Sequence, residues 1–319
     1  MKKHEKIREK QDQTAQSDDM HRSKGPVMRE MSISSLYIHV LAFFSGMCIM
    51  AIELCASRLM APFFGTSTFV WTNIIGVIMI ALSAGYLIGG RLADRKPQLD
   101  VLLKLLLAAC AFLLALPFVA SPFVRWLASL LENLNSSFSF IFFGSLSAIA
   151  LLFSPPIVIM GMTSPFLIRV IAQSGRVGDS AGRIFGISTI GSVVGTFLPI
   201  LVFIPTLGTG RTIILFSAAL FVVTAFGFAG RRIALVSVAA IVPFLFPIPS
   251  VRETPGKIYS TESAYQYIEV LDRGSFRYLV YNDAVGFQTV ANKKSVLTGI
   301  NYYYDYYSLL PSFLENAPR

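Results

Sequence analysis

Asp, Glu, Lys and Arg make up only 14% of this 319-residue sequence, so those lying inside apolar runs are the first candidates for chemistry. Glu53 is the clearest. A carboxylate at membrane depth is costly, which makes it a functional candidate by default; it suits a structural polar anchor or a contact to substrate equally well. Arg58 lies five residues on, outside the three- or four-residue spacing that would put it on the same helical face, and His39 reads as a satisfied interfacial residue. Cys48, Cys55 and Cys110 fall inside apolar spans with no CxxC or Cys/His spacing, so they read as packing residues and not as a metal or disulfide site. Near the other end, Tyr302, Tyr303, Tyr304, Tyr306 and Tyr307 could wall an organic cation or form an aromatic belt against lipid.

The elements that must position these groups are mostly membrane helices. Hydrophobic residues form 54% of the chain, whereas a soluble domain carries roughly 25% charged residues. Runs long enough to cross roughly 30 Å of hydrocarbon occur at about 36–56, 69–90, 99–121, 138–160, 184–205 and 210–229. A seventh candidate at about 233–248 carries Pro243 and Pro247, which break or kink a helix. The expected fold is therefore an α-helical polytopic membrane protein of six to seven helices. The lipid bilayer is its first partner, a homo-oligomer is compatible with it, and the GxxxG-type pairs Gly85/Gly89, Gly182/Gly186 and Gly191/Gly195 are expected to pack helices closely.

Residues 1–32 form a charged tail too poor in apolar residues to fold, and 33–250 form the membrane domain. The net charge of +9 does not indicate nucleic acid, because Lys and Arg sit between spans and not in one patch. They alternate instead. Arg91, Arg95 and Lys96, then Arg169, Arg176 and Arg183, then Arg231 and Arg232 mark the even loops, against Arg58, Arg125 and Arg211 in the odd ones. This pattern predicts a multi-pass cell-membrane protein with a cytoplasmic N-terminus. No cleavable signal is expected, since the first apolar run begins behind the tail.

After Pro255 the pattern changes to alternation. Tyr265 to Val270, a turn at Asp272-Arg273-Gly274-Ser275, and Phe276 to Tyr281 read as a β-hairpin. A second turn at Asn282-Asp283 leads to a strand near Val285–Val290, and helical spacing follows from about Ile300 to Pro311. Residues 257–319 thus form a small β-rich extension, a β-meander plus a helix.

Two resemblances attach to these residues. The run from Gly85 to Lys96 looks like the loop between the second and third helices of major-facilitator transporters. More of the chain resembles membrane-fused spermidine synthase (polyamine aminopropyltransferase) homologues, through Glu53-Leu54-Cys55-Ala56-Ser57-Arg58-Leu59, Pro62 to Ser67, Val70-Trp71-Thr72-Asn73, Gly161 to Pro165 and Gly186 to Gly195. In the C-terminal part, Glu262 to Ile268 is similar to the S-x-Y-Q strand that opens spermidine synthases. Leu279 to Gln288 resembles the next hairpin, with Asn282-Asp283-Ala284 in place of the usual Leu-Asp-Gly.

That resemblance implies cofactor contacts at Gln266 and Tyr265, and substrate contacts at Tyr303 and Gln288 beside Glu53. Tyr304 departs from the family's pattern. The resemblance also implies decarboxylated S-adenosylmethionine, but the Gly-rich turn and acidic residue that would hold it do not occur before Arg319. The expectation is a protein with no cofactor site of its own, inactive alone and completed by a separate Rossmann-like half. The alternative is a small transporter moving a cation or amphiphile. Cytosolic cofactor chemistry tilts the reading towards a cytoplasmic C-terminal region, which requires that the proline-broken seventh segment not cross.

Overall fold

A computed structural model of the chain describes residues 35–131, 137–171, 177–228, 242–249, 254–263, 265–282, 287–294 and 306. The charged tail and the helix expected from Ile300 lie outside these residues, apart from Tyr306.

The first three spans are single helices: α1 (Ser35–Phe64), α2 (Thr68–Arg95) and α3 (Leu99–Leu131). Each is longer than its apolar run. α1 continues past residue 56 until Gly65 adopts φ +75° and donates its N–H to the Ala61 carbonyl at 2.9 Å. A left-handed residue at a helix end is cheapest as glycine, which is why the helix stops there. The extension moves Glu53 from the end of the span to mid-helix, about 16 Å below Phe64 at 1.5 Å per residue.

The fourth span is not one helix. It divides into α4 (Ser137–Leu152), α5 (Ser154–Gly161) and α6 (Thr163–Ile171), with turns at Phe153 and Met162. Pro155 and Pro156 have no N–H to give to the carbonyls four residues earlier, so the ladder must break before them. Beyond the break they sit in the first turn of α5, where the missing donors cost nothing. α7 (Val177–Leu198) likewise passes into a π-turn at Pro199–Phe203 and a short α8 (Ile204–Leu207) before Gly208. α9 (Thr209–Ala225) follows. Among the described residues, five helical stretches are long and apolar enough to cross a membrane, and Phe138–Leu152 and Thr209–Ala225 are shorter apolar helices.

Close approach occurs where small residues meet backbone. A Cβ added at Gly191 or Gly195 would collide with the carbonyls of Phe43 or Met47 on α1, and one at Gly46 would collide with Ser188. Ser192 donates a hydrogen bond to the Gly46 carbonyl at 3.2 Å across the same contact. Gly85 and Gly89 press on Val158, Gly161 and Met162 in the same way. Gly182 and Gly186, of the same spacing, meet nothing within 4 Å. Buried polar pairs join helices, Ser45 with Thr163 at 3.1 Å and Asn73 with Ser145 at 2.9 Å.

Two contacts mark one end of the bundle. Asp94 pairs with Arg169 at 3.0 Å, at the last turns of α2 and α6, and the Tyr37 hydroxyl donates to the Val223 carbonyl at 3.2 Å, joining the start of α1 to the last turn of α9. These residues share the Arg-rich end. The starts of α2 and α9 and the end of α1 lie at the other.

The extension is a four-stranded antiparallel meander, β1 (Lys257–Glu262), β2 (Tyr267–Arg273), β3 (Phe276–Tyr281) and β4 (Phe287–Asn292). Gly274 at φ +60° makes the two-residue turn between β2 and β3, with Arg273 paired to Phe276. β1 extends the expected sheet by a strand. Tyr265 and Gln266 are not in a strand: the Ser263 hydroxyl accepts the N–H groups of Tyr265 and Gln266 at 3.2 and 3.0 Å, which holds them in the turn between β1 and β2. Val290, Val280, Leu271 and Tyr267 are buried, and so is Glu269. Its carboxylate accepts from Tyr267 Oη at 3.1 Å and from Thr254 Oγ1 at 2.8 Å, with Lys257 Nζ at 3.8 Å. Burial pushes the Tyr267 phenol up to about 12, so it remains a donor. At the sheet's far edge, a hydrogen bond from Lys293 holds the Asp272 carboxyl below its ordinary range.

The two glycine classes predict opposite results. Gly191→Val drives a side chain into the Phe43 carbonyl and should destabilise by about 1–3 kcal/mol, the usual cost of overpacking. Gly186→Ala meets open space and should be neutral or stabilising by up to about 1 kcal/mol, the gain in helix propensity. Thermal unfolding in detergent checks both; equal melting points for the two variants would contradict the packing described.

Candidate functional site

Glu262 hydrogen-bonds the sheet to the bundle. α9 begins at Thr209 behind Gly208, which carries φ +81° and has no side chain with which to cap the helix. Its first N–H groups therefore need an acceptor from elsewhere. Glu262, the last residue of β1, supplies it. Glu262 Oε2 accepts the Thr209 N–H at 2.8 Å and also the Thr209 hydroxyl. The anion stands at the positive end of the helix dipole, which favours it there.

Glu262 and Tyr267 form a partition between two cavities at this end of the bundle. One, of about 250 Å³, is walled on the bundle side by Arg58, Trp71 and Ile200 and on the sheet side by Tyr265, Gln266 and Asn282. The Arg58 guanidinium interacts electrostatically with Glu262 across it. The other, of about 460 Å³, is lined by Pro117, Arg211, Pro247, Ser260 and Glu262 among others. Gln266 is held at the smaller cavity by the Ser263 turn, while Asn282, at φ +48°, closes its corner by accepting the Tyr267 N–H at 3.1 Å. The smaller cavity thus offers two amides, a guanidinium and three aromatic rings. These suit a flat, polar ligand edge that both donates and accepts hydrogen bonds.

The sequence-derived site residues divide. Gln266 and Tyr265 share a cavity with Arg58 and Trp71. Gln288 is exposed on the edge strand β4 and lines neither cavity. Glu53 is half-buried at mid-helix, also away from both. Tyr303 lies outside the described residues. Glu262, Thr209 and Arg211 were not singled out by sequence reasoning, although one signal for Glu262 was present: a helix starting at Gly208-Thr209 with no capping acceptor of its own.

A whole nucleoside cofactor does not fit the groups present. A ribose diol calls for a carboxylate with both oxygens available, and the carboxylate lining the smaller cavity, Glu262, has one oxygen committed to Thr209. Among the described residues, no group of three or more His, Cys, Asp or Glu side chains is placed to hold a metal ion.

Comparison of the chain with protein-family models, with curated proteins and with solved structures finds no match.

If Glu262 is the contact that docks the sheet, Glu262→Ala should speed hydrogen exchange at the Thr209 amide by about tenfold, in line with the roughly 0.5–2 kcal/mol of a lost helix cap. Glu262→Gln, which keeps an acceptor but not the charge, should have a smaller effect. Unchanged exchange in the alanine variant would show that the sheet is held by something else.

Proposed function

We propose that this chain is a membrane-embedded relative of the spermidine synthases, a component of the polyamine aminopropyltransferase type. In this reading the β-extension closes over a ligand against the bundle, and a separate nucleoside-binding half completes the enzyme. The single observation that carries it is the grouping of Gln266 and Tyr265, the residues that the resemblance marks for cofactor contact, in one cavity with Arg58 and Trp71 from stretches that also carry the resemblance. No transfer step is assigned to this chain alone, because its described residues do not hold the whole cofactor.

The proposed topology has seven passes and not six. Phe228 follows the last turn of α9 at the Arg-rich end, whereas Ile248 packs against Gly210 near the sheet. With the Arg-rich end in the cytoplasm, the sheet and its cavities face the opposite side, against the cytoplasmic placement that cofactor chemistry would favour.

That placement, together with the break from Pro199 to Gly208 beside the larger cavity, favours a second reading. Interrupted helices of this kind build substrate sites in transporters, and a transporter of a cation or amphiphile would use the cavity as a vestibule. Titration of the purified chain with adenine, whose flat polar edge the smaller cavity suits, and with spermidine separates the two. The synthase-type reading expects saturable binding of the base, weakened about tenfold by Gln266→Ala, the order of one hydrogen bond to a ligand. Absence of binding of the base, with uptake of spermidine into proteoliposomes, would replace it with the transporter.

A further inference from the structure

The larger cavity continues downward. An apolar groove of about 570 Å³, lined by Ala111, Leu114, Phe118, Phe221, Val242 and Phe246 among others, shares Pro247 with it, and the consecutive residues Pro117 and Phe118 of α3 line one each. Val242 and Phe246 leave 41% and 58% of their surface exposed in this groove, as expected of a wall that faces hydrocarbon. Along α9 the cavity is lined by Gly210 and the groove by Phe221, a separation of roughly 16 Å at about 1.5 Å per residue, close to the half-thickness of a roughly 30 Å hydrocarbon layer.

The polar mouth of this groove carries one group of each charge. Arg211 is exposed at the first turn of α9 and has no ion-pair partner among the described residues. Glu262 commits Oε2 to Thr209, and Oε1 has no hydrogen-bond partner among the described residues. A guanidinium suits a phosphate, and a carboxylate oxygen with lone pairs to spare suits a group that can donate N–H.

We propose that cavity and groove together bind a zwitterionic phospholipid with a primary-amine headgroup, its phosphate at Arg211, its ammonium at Glu262 Oε1 and one acyl chain in the groove between α3, α9 and the Val242–Pro247 segment. A quaternary headgroup has no N–H to give Glu262, and an anionic one places no cation there. The site therefore selects phosphatidylethanolamine over phosphatidylcholine and phosphatidylglycerol. This occupant uses different walls from those proposed for the base, apart from the shared Glu262–Tyr267 partition.

Native mass spectrometry of the delipidated full chain, titrated with the three lipids at matched acyl length, tests this. Phosphatidylethanolamine should bind about tenfold more tightly than phosphatidylcholine, the order of one charge-assisted hydrogen bond. Arg211→Gln should weaken phosphatidylethanolamine and phosphatidylglycerol alike, and Ala115→Trp, which fills the groove, should lower the affinity for all three. Should Ala115→Trp unfold, Val242→Trp fills the same groove from the opposite wall. Equal affinity for the three lipids, or no effect of Arg211→Gln, would overturn the proposal. So would binding of free O-phosphoethanolamine as tight as that of the lipid, because the groove would then contribute nothing.

Discussion

A helix that starts with glycine at its N-cap has no acceptor of its own for its first N–H groups, and at the edge of a membrane water cannot be relied on to supply one. α9 meets that constraint with a side chain from another part of the chain: the Glu262 carboxylate accepts the Thr209 N–H and hydroxyl. The rest of the candidate site depends on this contact. It brings β1 to the end of the bundle where α1 finishes and α2 begins, places the Ser263–Gln266 turn opposite Arg58 and Trp71, and leaves Glu262 and Tyr267 as the partition between two cavities. The contact also joins the two parts that composition separates, an apolar bundle and a half-polar sheet.

The bundle beneath is built to be stiff where it counts. Gly46, Gly191 and Gly195 let α1 and α7 approach until backbone meets backbone, and Gly85, Gly89 and Gly161 do the same for α2 and α5. In lipid there is no hydrophobic drive between helices, so this close packing and the Ser45–Thr163 and Asn73–Ser145 hydrogen bonds supply the cohesion. The backbone is irregular at Phe153, at Met162 against Gly89, and from Pro199 to Gly208. The last of these breaks ends one residue before Thr209, whose N–H Glu262 accepts.

Much of the fold was legible in the sequence because its signals are local. Apolar run length marked the helices, and Gly274-Ser275 and Asn282 marked the turns of the sheet. Helix ends were less legible: α1 and α3 run past their apolar segments, since a helix continues until a cap or a proline stops it and not where hydrophobicity fades. The prolines at 155 and 156 were visible, but their effect was masked by the apolar residues around them. For the site, Gln266 and Tyr265 could be named from a short motif, whereas Glu262 and Thr209, 53 residues apart, become partners only through the fold. GxxxG spacing alone did not separate Gly191/Gly195, which pack, from Gly182/Gly186, which do not; the difference lies in what faces them.

The central claim is that the sheet docks on the end of the bundle opposite the Arg-rich end, and cysteine accessibility tests it most directly. Cys48, Cys55 and Cys110 are buried, so a cysteine introduced at Ser275 in the β2–β3 turn or at Lys96 after α2 can be read against a quiet background. A membrane-impermeant maleimide added to intact cells should label Ser275→Cys and spare Lys96→Cys until the membrane is opened. Labelling of both from the same side would contradict the account, because the sheet and the Arg-rich loops would then share one face.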